Sequence, residues 1–163
     1  MARNDIQIIR NGGDVVTMEV DDRTTSSDTA ILAGEAVGKT GAAANVVAHV
    51  ATATPTNASG ATMWGLATKD STETSTVNGK VDVRQVIPGS TVMRAKATTP
   101  ANLAEGVRYD SVTFTWDGTN YTVNEDEGDD PNVHGLIIID MDTDKGTVDF
   151  LLKGYANEQT SSY

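Results

Sequence analysis

Apolar residues in this chain come in short β-branched runs, broken by Asn-Gly, Asp-Gly and Pro-Gly pairs, and this spacing constrains the fold more than any other feature. Ile6 to Ile9, Val15 to Val20, Val46 to Val50, Met63 to Ala67, Val81 to Val86 and Thr91 to Ala97 each have the length of one strand. Asn11-Gly12-Gly13, Asn78-Gly79 and Pro88-Gly89 lie between them, residue types that tolerate the positive φ a tight turn needs. No window carries an i, i+3, i+4, i+7 apolar stripe for three turns, and crowded β-branched side chains oppose helix. The single helical candidate, Pro100 to Glu105 with Thr99 as N-cap and Gly106 as stop, can supply one turn.

The clearest element is a hairpin over Ser111 to Val123, turning at Asp117-Gly118. Counting back from a two-residue turn pairs Trp116 with Thr119, Phe114 with Tyr121 and Val112 with Val123 on one core face. Thr113, Thr115, Asn120 and Thr122 then face solvent. Val133 to Ile139 is apolar almost without a break, which predicts a strand covered on both faces. Gly146 to Leu152 returns across an acidic turn, Asp140 to Lys145, while Asp21 to Asp28 and Thr52 to Gly60 read as exposed loops. The expected organisation is an N-terminal arm and strand pair over 1–20, a β-rich core domain over 21–157 and a loose tail over 158–163. The fold class is all-β, a small β-barrel or β-sandwich of short antiparallel strands and hairpins with at most one short helix. At 163 residues the chain can bury a core without covalent staples, and with no cysteine it must.

A formal charge of −11 argues against nucleic acid, whose phosphates require a basic footprint, and favours solubility at high local concentration or a basic protein partner. No stretch approaches the roughly 20 apolar residues of a membrane helix, so no membrane partner is expected. Met1 to Asp5 lead into no signal-peptide core, and the expectation is a protein made in a cytoplasm and used as made. Two histidines without cysteine make a zinc site unexpected, and no metal or cofactor is predicted.

Several motifs suggest chemistry and fail on their neighbours. Gly34 to Thr40 approaches a phosphate-binding loop, but the Walker pattern places glycine where Ala33 stands, and the loop leads toward another β-run instead of a helix. Asp140, Asp142 and Asp144 open like a calcium loop, yet Lys145 and Leu151 stand where glycine and a bidentate glutamate belong, so a tight acidic turn is expected. Glu125 to Asp130 gathers five carboxylates in six residues, read as a solvated loop or a patch for a basic partner. His49 and His134 are far apart and no GxSxG elbow occurs, so no catalytic residues are assigned and an enzyme is not expected. Trp64 and Trp116 read as core anchors.

From Tyr109 onward the chain resembles the head-decoration, or cement, proteins of tailed bacteriophages. The residues that carry the likeness are Trp116-Asp117-Gly118-Thr119, Gly135-Leu136-Ile137-Ile138-Ile139-Asp140-Met141-Asp142 and Thr147-Val148-Asp149-Phe150-Leu151-Leu152-Lys153-Gly154. Leu32 to Lys39 and Gly65 to Asp70 through Gly79 to Val83 are similar to strand-and-turn phrases of the same group. The resemblance implies a homotrimer on the outside of a phage head, at three-fold or quasi-three-fold positions, clamping the major capsid protein. It also implies an N-terminal arm as the capsid contact, which here is Met1 to Arg10, with Arg3, Asp5, Ile6, Ile8 and Arg10 as candidate contact residues. On this reading, deleting the arm abolishes head binding and leaves the fold intact. The alternative is a virion-surface recognition module, a fibre, tail or carbohydrate-binding β-domain, which predicts a ligand-facing aromatic cluster.

Overall fold

A computed structural model describes residues 5–20, 30–39, 47–49, 63–116, 120–126 and 135–153. Strands β1 (Ile6–Arg10), β2 (Val15–Val20), β3 (Ala36–Lys39), β4 (Val47–His49), β5 (Met63–Ala67) and β6 (Gly79–Gln85) form in the first half. They are followed by β7 (Val92–Lys96), β8 (Ser111–Trp116), β9 (Tyr121–Asn124), β10 (Leu136–Asp142) and β11 (Thr147–Leu152). Among the described residues one sheet has six strands in the order β1-β7-β11-β10-β8-β9 and the other five in the order β2-β6-β5-β3-β4; the paired strands all run antiparallel, and one isolated parallel bridge joins Ala97 to Val123. The fold is all-β, as the spacing of the runs predicts, and is built from two sheets with no closed barrel.

The strands expected to form an N-terminal pair do form, but not with each other. β1 pairs with β7 and β2 with β6, so the chain crosses between sheets at Asn11 to Asp14. Asn11 takes φ 54°, a left-handed conformation that asparagine tolerates better than most residues. Thr91, fully buried, pins this crossover: its hydroxyl donates to the Asn11 carbonyl at 2.7 Å and accepts the Ile87 N–H at 2.8 Å. A buried hydroxyl thus has both roles filled, and both peptides it serves are spared from lying unpaired.

The main core lies against the six-stranded sheet. Ile6, Met93, Val112, Phe114, Tyr121, Val123, Leu136, Ile138, Val148, Phe150 and Leu152 enclose it, with Ala36, Met63 and Leu66 closing it from the second sheet. Phe114 stands edge-on to Phe150 (centroids 5.3 Å) and to Tyr121 (6.0 Å), the geometry that aromatic quadrupoles favour. A second core of Met18, Val20, Ile31, Val37, Ala67, Val81 and Val83, with Trp64 packed against it, occupies the opposite face of the five-stranded sheet. Neighbours alternate across a strand, so Ala36 and Leu66 serve one core while Val37 and Ala67 serve the other.

The β8–β9 hairpin keeps its predicted core face but not its predicted register. Trp116 lies opposite Tyr121 and Phe114 opposite Val123, two residues from the expected pairing, which leaves Asp117 to Asn120 between the paired ends. A shift of two preserves side-chain parity, so Val112, Phe114, Tyr121 and Val123 are still buried together. The other face is not simply solvated, since Thr113 is buried and the Lys153 ammonium donates to the Ser111 hydroxyl at 3.1 Å. β10 alternates buried and half-buried residues over Leu136 to Ile139 instead of being covered on both faces; Val133 and His134 lie outside the described residues. The predicted helical turn becomes two short 3-10 turns, Pro100–Asn102 and Glu105–Val107, with Gly106 inside the second. Thr99 makes no side-chain cap.

Candidate functional site

Of the predicted arm contacts, the structure draws three into the molecule. Ile6 is buried in the main core, Ile8 packs against it, and the Asp5 carboxylate accepts the Tyr121 N–H of β9 at 3.1 Å. Arg10 is exposed at the end of β1, and Arg3 lies outside the described residues. Ile6 to Arg10 is therefore an integral edge strand, not a free arm, because its apolar alternation matches the open side of β7. The expectation that Met1 to Arg10 can be deleted without harm to the fold is corrected accordingly. Among the described residues β1 is paired on one side only, with its other edge open.

A row of polar and charged side chains crosses the six-stranded sheet, set by register. Gln7 lies opposite Arg94, Arg94 opposite Asp149, and Asp149 opposite Asp140. The Arg94 guanidinium grips Asp149 through Nε (2.6 Å) and Nη2 (2.9 Å), the bidentate geometry that makes arginine–carboxylate pairs directional. That hydrogen bonding, then the Asp149 charge, holds the Arg94 pKa above its ordinary value. At the end of the row Asp140 meets Arg108 Nη1 at 3.1 Å, and Arg108 is also held by both carboxylate oxygens of Glu105. The Glu105 hydrogen bonds are the main cause raising the Arg108 pKa.

The acidic segments predicted as loops are put to internal use. Asp142 is a strand residue whose carboxylate takes the Lys145 ammonium (2.6 Å) and the Lys145 N–H (3.0 Å), so it closes the β10–β11 turn and is held below the usual aspartate range. Gly146 ends that turn at φ 65°, where a Cβ would meet the Pro100 ring at 2.7 Å. Glu125, expected to be solvated, is 3% exposed, and its carboxylate accepts the N–H groups of Thr98 (2.9 Å) and Thr99 (2.7 Å). Asp126 accepts from the Asn102 side chain at 2.6 Å, and Glu127 to Asp130 lie outside the described residues.

The Walker-like segment is a strand, β3, preceded by a turn in which Gly34 takes φ 87° and the Glu35 carboxylate accepts the Leu32 N–H. Its continuation over Gly41 to Asn45 lies outside the described residues. Among the described residues, no group of three or more histidine, cysteine, aspartate or glutamate side chains could hold a metal ion. The carboxylates at Asp82, Asp140, Asp142 and Asp149 are each met by a lysine or arginine. Among the described residues the arrangement presents fixed charge and a sheet edge with hydrogen-bonding groups.

Two features escaped sequence reading. Glu125 sits within an acidic run, and nothing local marks it as the partner of amides 27 and 26 residues away. Tyr109 has a positive φ of 73°, and no glycine or asparagine at that position flags a turn. No helix among the described residues is long and apolar enough to cross a membrane. Compared with protein-family models, with characterised proteins and with solved structures, the chain matches none.

Proposed function

We propose that this protein is a structural capsid decoration, or cement, protein. It binds the outside of a phage head at three-fold or quasi-three-fold positions as a homotrimer and stabilises the major capsid lattice without cofactor or chemistry. The observation that carries the reading is where the family-like phrases fall. Gly135 to Asp142 and Thr147 to Lys153 include β10 and β11, which lie side by side within the main sheet and supply Leu136, Ile138, Val148, Phe150 and Leu152 to its core. The part of the likeness carried by these two phrases therefore follows one structural unit.

A decoration protein adds buried interface at each lattice junction and stabilises the expanded shell by mass action. The edge of β1 that no strand among the described residues covers offers main-chain groups to a strand of the shell protein, a mode of recognition with little demand on side-chain identity. Three copies in one trimer would add avidity to each contact. Arg3 and exposed Arg10 remain candidate ion-pairing residues; Asp5, Ile6 and Ile8 act by building the edge strand. The alternative recognition module would need a cluster of exposed aromatic side chains, and Tyr109 alone supplies one among the described residues. The deciding experiment is to add purified protein to mature heads assembled without it. Trimeric protein that binds and raises the temperature of head disruption supports the reading; a stable monomer with no affinity for such heads sinks it.

A further inference from the structure

Tyr109 is the most exposed large apolar side chain among the described residues, at 65%. It is also held in a conformation that disfavours it. The Asp110 N–H donates to the Val107 carbonyl at 3.2 Å, Arg108 has φ −67° and ψ 128°, and Tyr109 has φ 73°. These values describe a type II turn, whose third position belongs to glycine or asparagine because other residues crowd their own backbone there. The turn is held against β10 by both main-chain groups of Ile138. The Tyr109 N–H donates to the Ile138 carbonyl (2.8 Å) and the Ile138 N–H donates to the Asp110 carbonyl (3.1 Å). These bonds fix the backbone from which the ring projects.

A side chain so exposed gains little from burial, so fold stability does not account for tyrosine at this position. Its neighbour is equally prepared. The Arg108 guanidinium is fixed by Glu105 at 3.1 and 3.3 Å and by Asp140 at 3.1 Å. An aromatic on a fixed backbone and an arginine already held by carboxylates are residue types enriched at interface hot spots, and prior ordering of the turn removes part of the entropy that association would otherwise lose. Counting Glu105, Asp110 and Asp140 against Arg108, the turn and the carboxylates paired to it carry a formal charge of −2, in a chain of net −11. The complementary surface is basic.

We propose that the Val107 to Asp110 turn is the docking anchor of this protein, with Tyr109 as the side chain that a basic protein surface encloses. The inference rests on the decoration reading, under which that surface belongs to the outer face of the shell; it places the strongest contact here and not in the N-terminal strand. The test uses full-length wild type, Tyr109→Asn and Tyr109→Phe, with heads assembled without the protein as the probe. Wild type is expected to bind, more weakly as salt is raised. Tyr109→Asn, which suits the turn but lacks the ring, is expected to lose about 30-fold or more in affinity, the loss typical of an interface hot spot. Its melting temperature should equal or exceed that of wild type, and Tyr109→Phe should keep most of the affinity. If Tyr109→Asn binds as wild type does, or melts at clearly lower temperature, the anchor proposal falls while the decoration reading stands. If wild type itself fails to bind at any salt concentration, both fall.

Discussion

Replacing Glu125 by glutamine changes one oxygen to an amide nitrogen and tests whether a buried carboxylate organises the entry to the 3-10 turns. In the wild type both oxygens accept backbone N–H groups, at 2.9 Å from Thr98 and 2.7 Å from Thr99, with the residue 3% exposed. Two effects compete. Burial penalises the ionised carboxylate and favours the neutral amide. Against that, a hydrogen bond to a charged group is worth about 1.5–3 kcal/mol, and a buried N–H left without an acceptor costs about 1–3 kcal/mol. Glutamine can serve one of the two amides and must turn a donor toward the other. Hydrogen bonding should win, with Glu125→Gln destabilising by about 1.5–3 kcal/mol and Glu125→Ala, which strands both amides, by about 3–5 kcal/mol. In a chain of this size each kcal/mol lowers the melting temperature by roughly 2–4 °C, so the loss is readily measured by thermal or urea unfolding. Amide exchange at Thr98 and Thr99 should accelerate more than at β10 or β11. A glutamine variant within 0.5 kcal/mol of wild type, or one that is more stable, would show that desolvation outweighs the two bonds and refute the reasoning.

Two further expectations follow from the same geometry. Ile6→Ala should destabilise by about 2–5 kcal/mol, because it empties a site in the main core; a free arm would show no change in urea midpoint. Asp142, held below its usual pKa by Lys145, contributes stability above the unfolded value near 4 that is lost as pH falls through the lower folded value. Its carboxyl carbon should therefore titrate below 3.8 by NMR, and Asp142→Asn should unfold with a shallower pH dependence on the acid side than wild type; an unshifted titration would contradict this.

How far the sequence carries depends on which relation is asked of it. Alternation names strands and their buried faces, so Val112, Phe114, Tyr121 and Val123 were legible as one core face and remained so under a shift of two. Partners are another matter. Ile6 to Ile9 and Val15 to Val20 look like a hairpin because Asn11-Gly12-Gly13 lies between them, yet the tie that decides otherwise is Thr91, 80 residues from Asn11. The acidic run failed for a similar reason. Glu125 reads as solvated until the two amides before Pro100 are known to need an acceptor. Tyr109 was hidden because its turn breaks the residue preference by which turns are recognised.

The alternation of Ala36 with Val37 and of Leu66 with Ala67 makes β3 and β5 a party wall between two compartments. Neither compartment can be emptied without exposing the back of the other, so the two sheets should melt in one cooperative step instead of as separable modules. The same wall guards against misfolding. A slip of one residue in either strand would send each side chain into the opposite compartment, penalising both cores at once and leaving the native register without a near competitor.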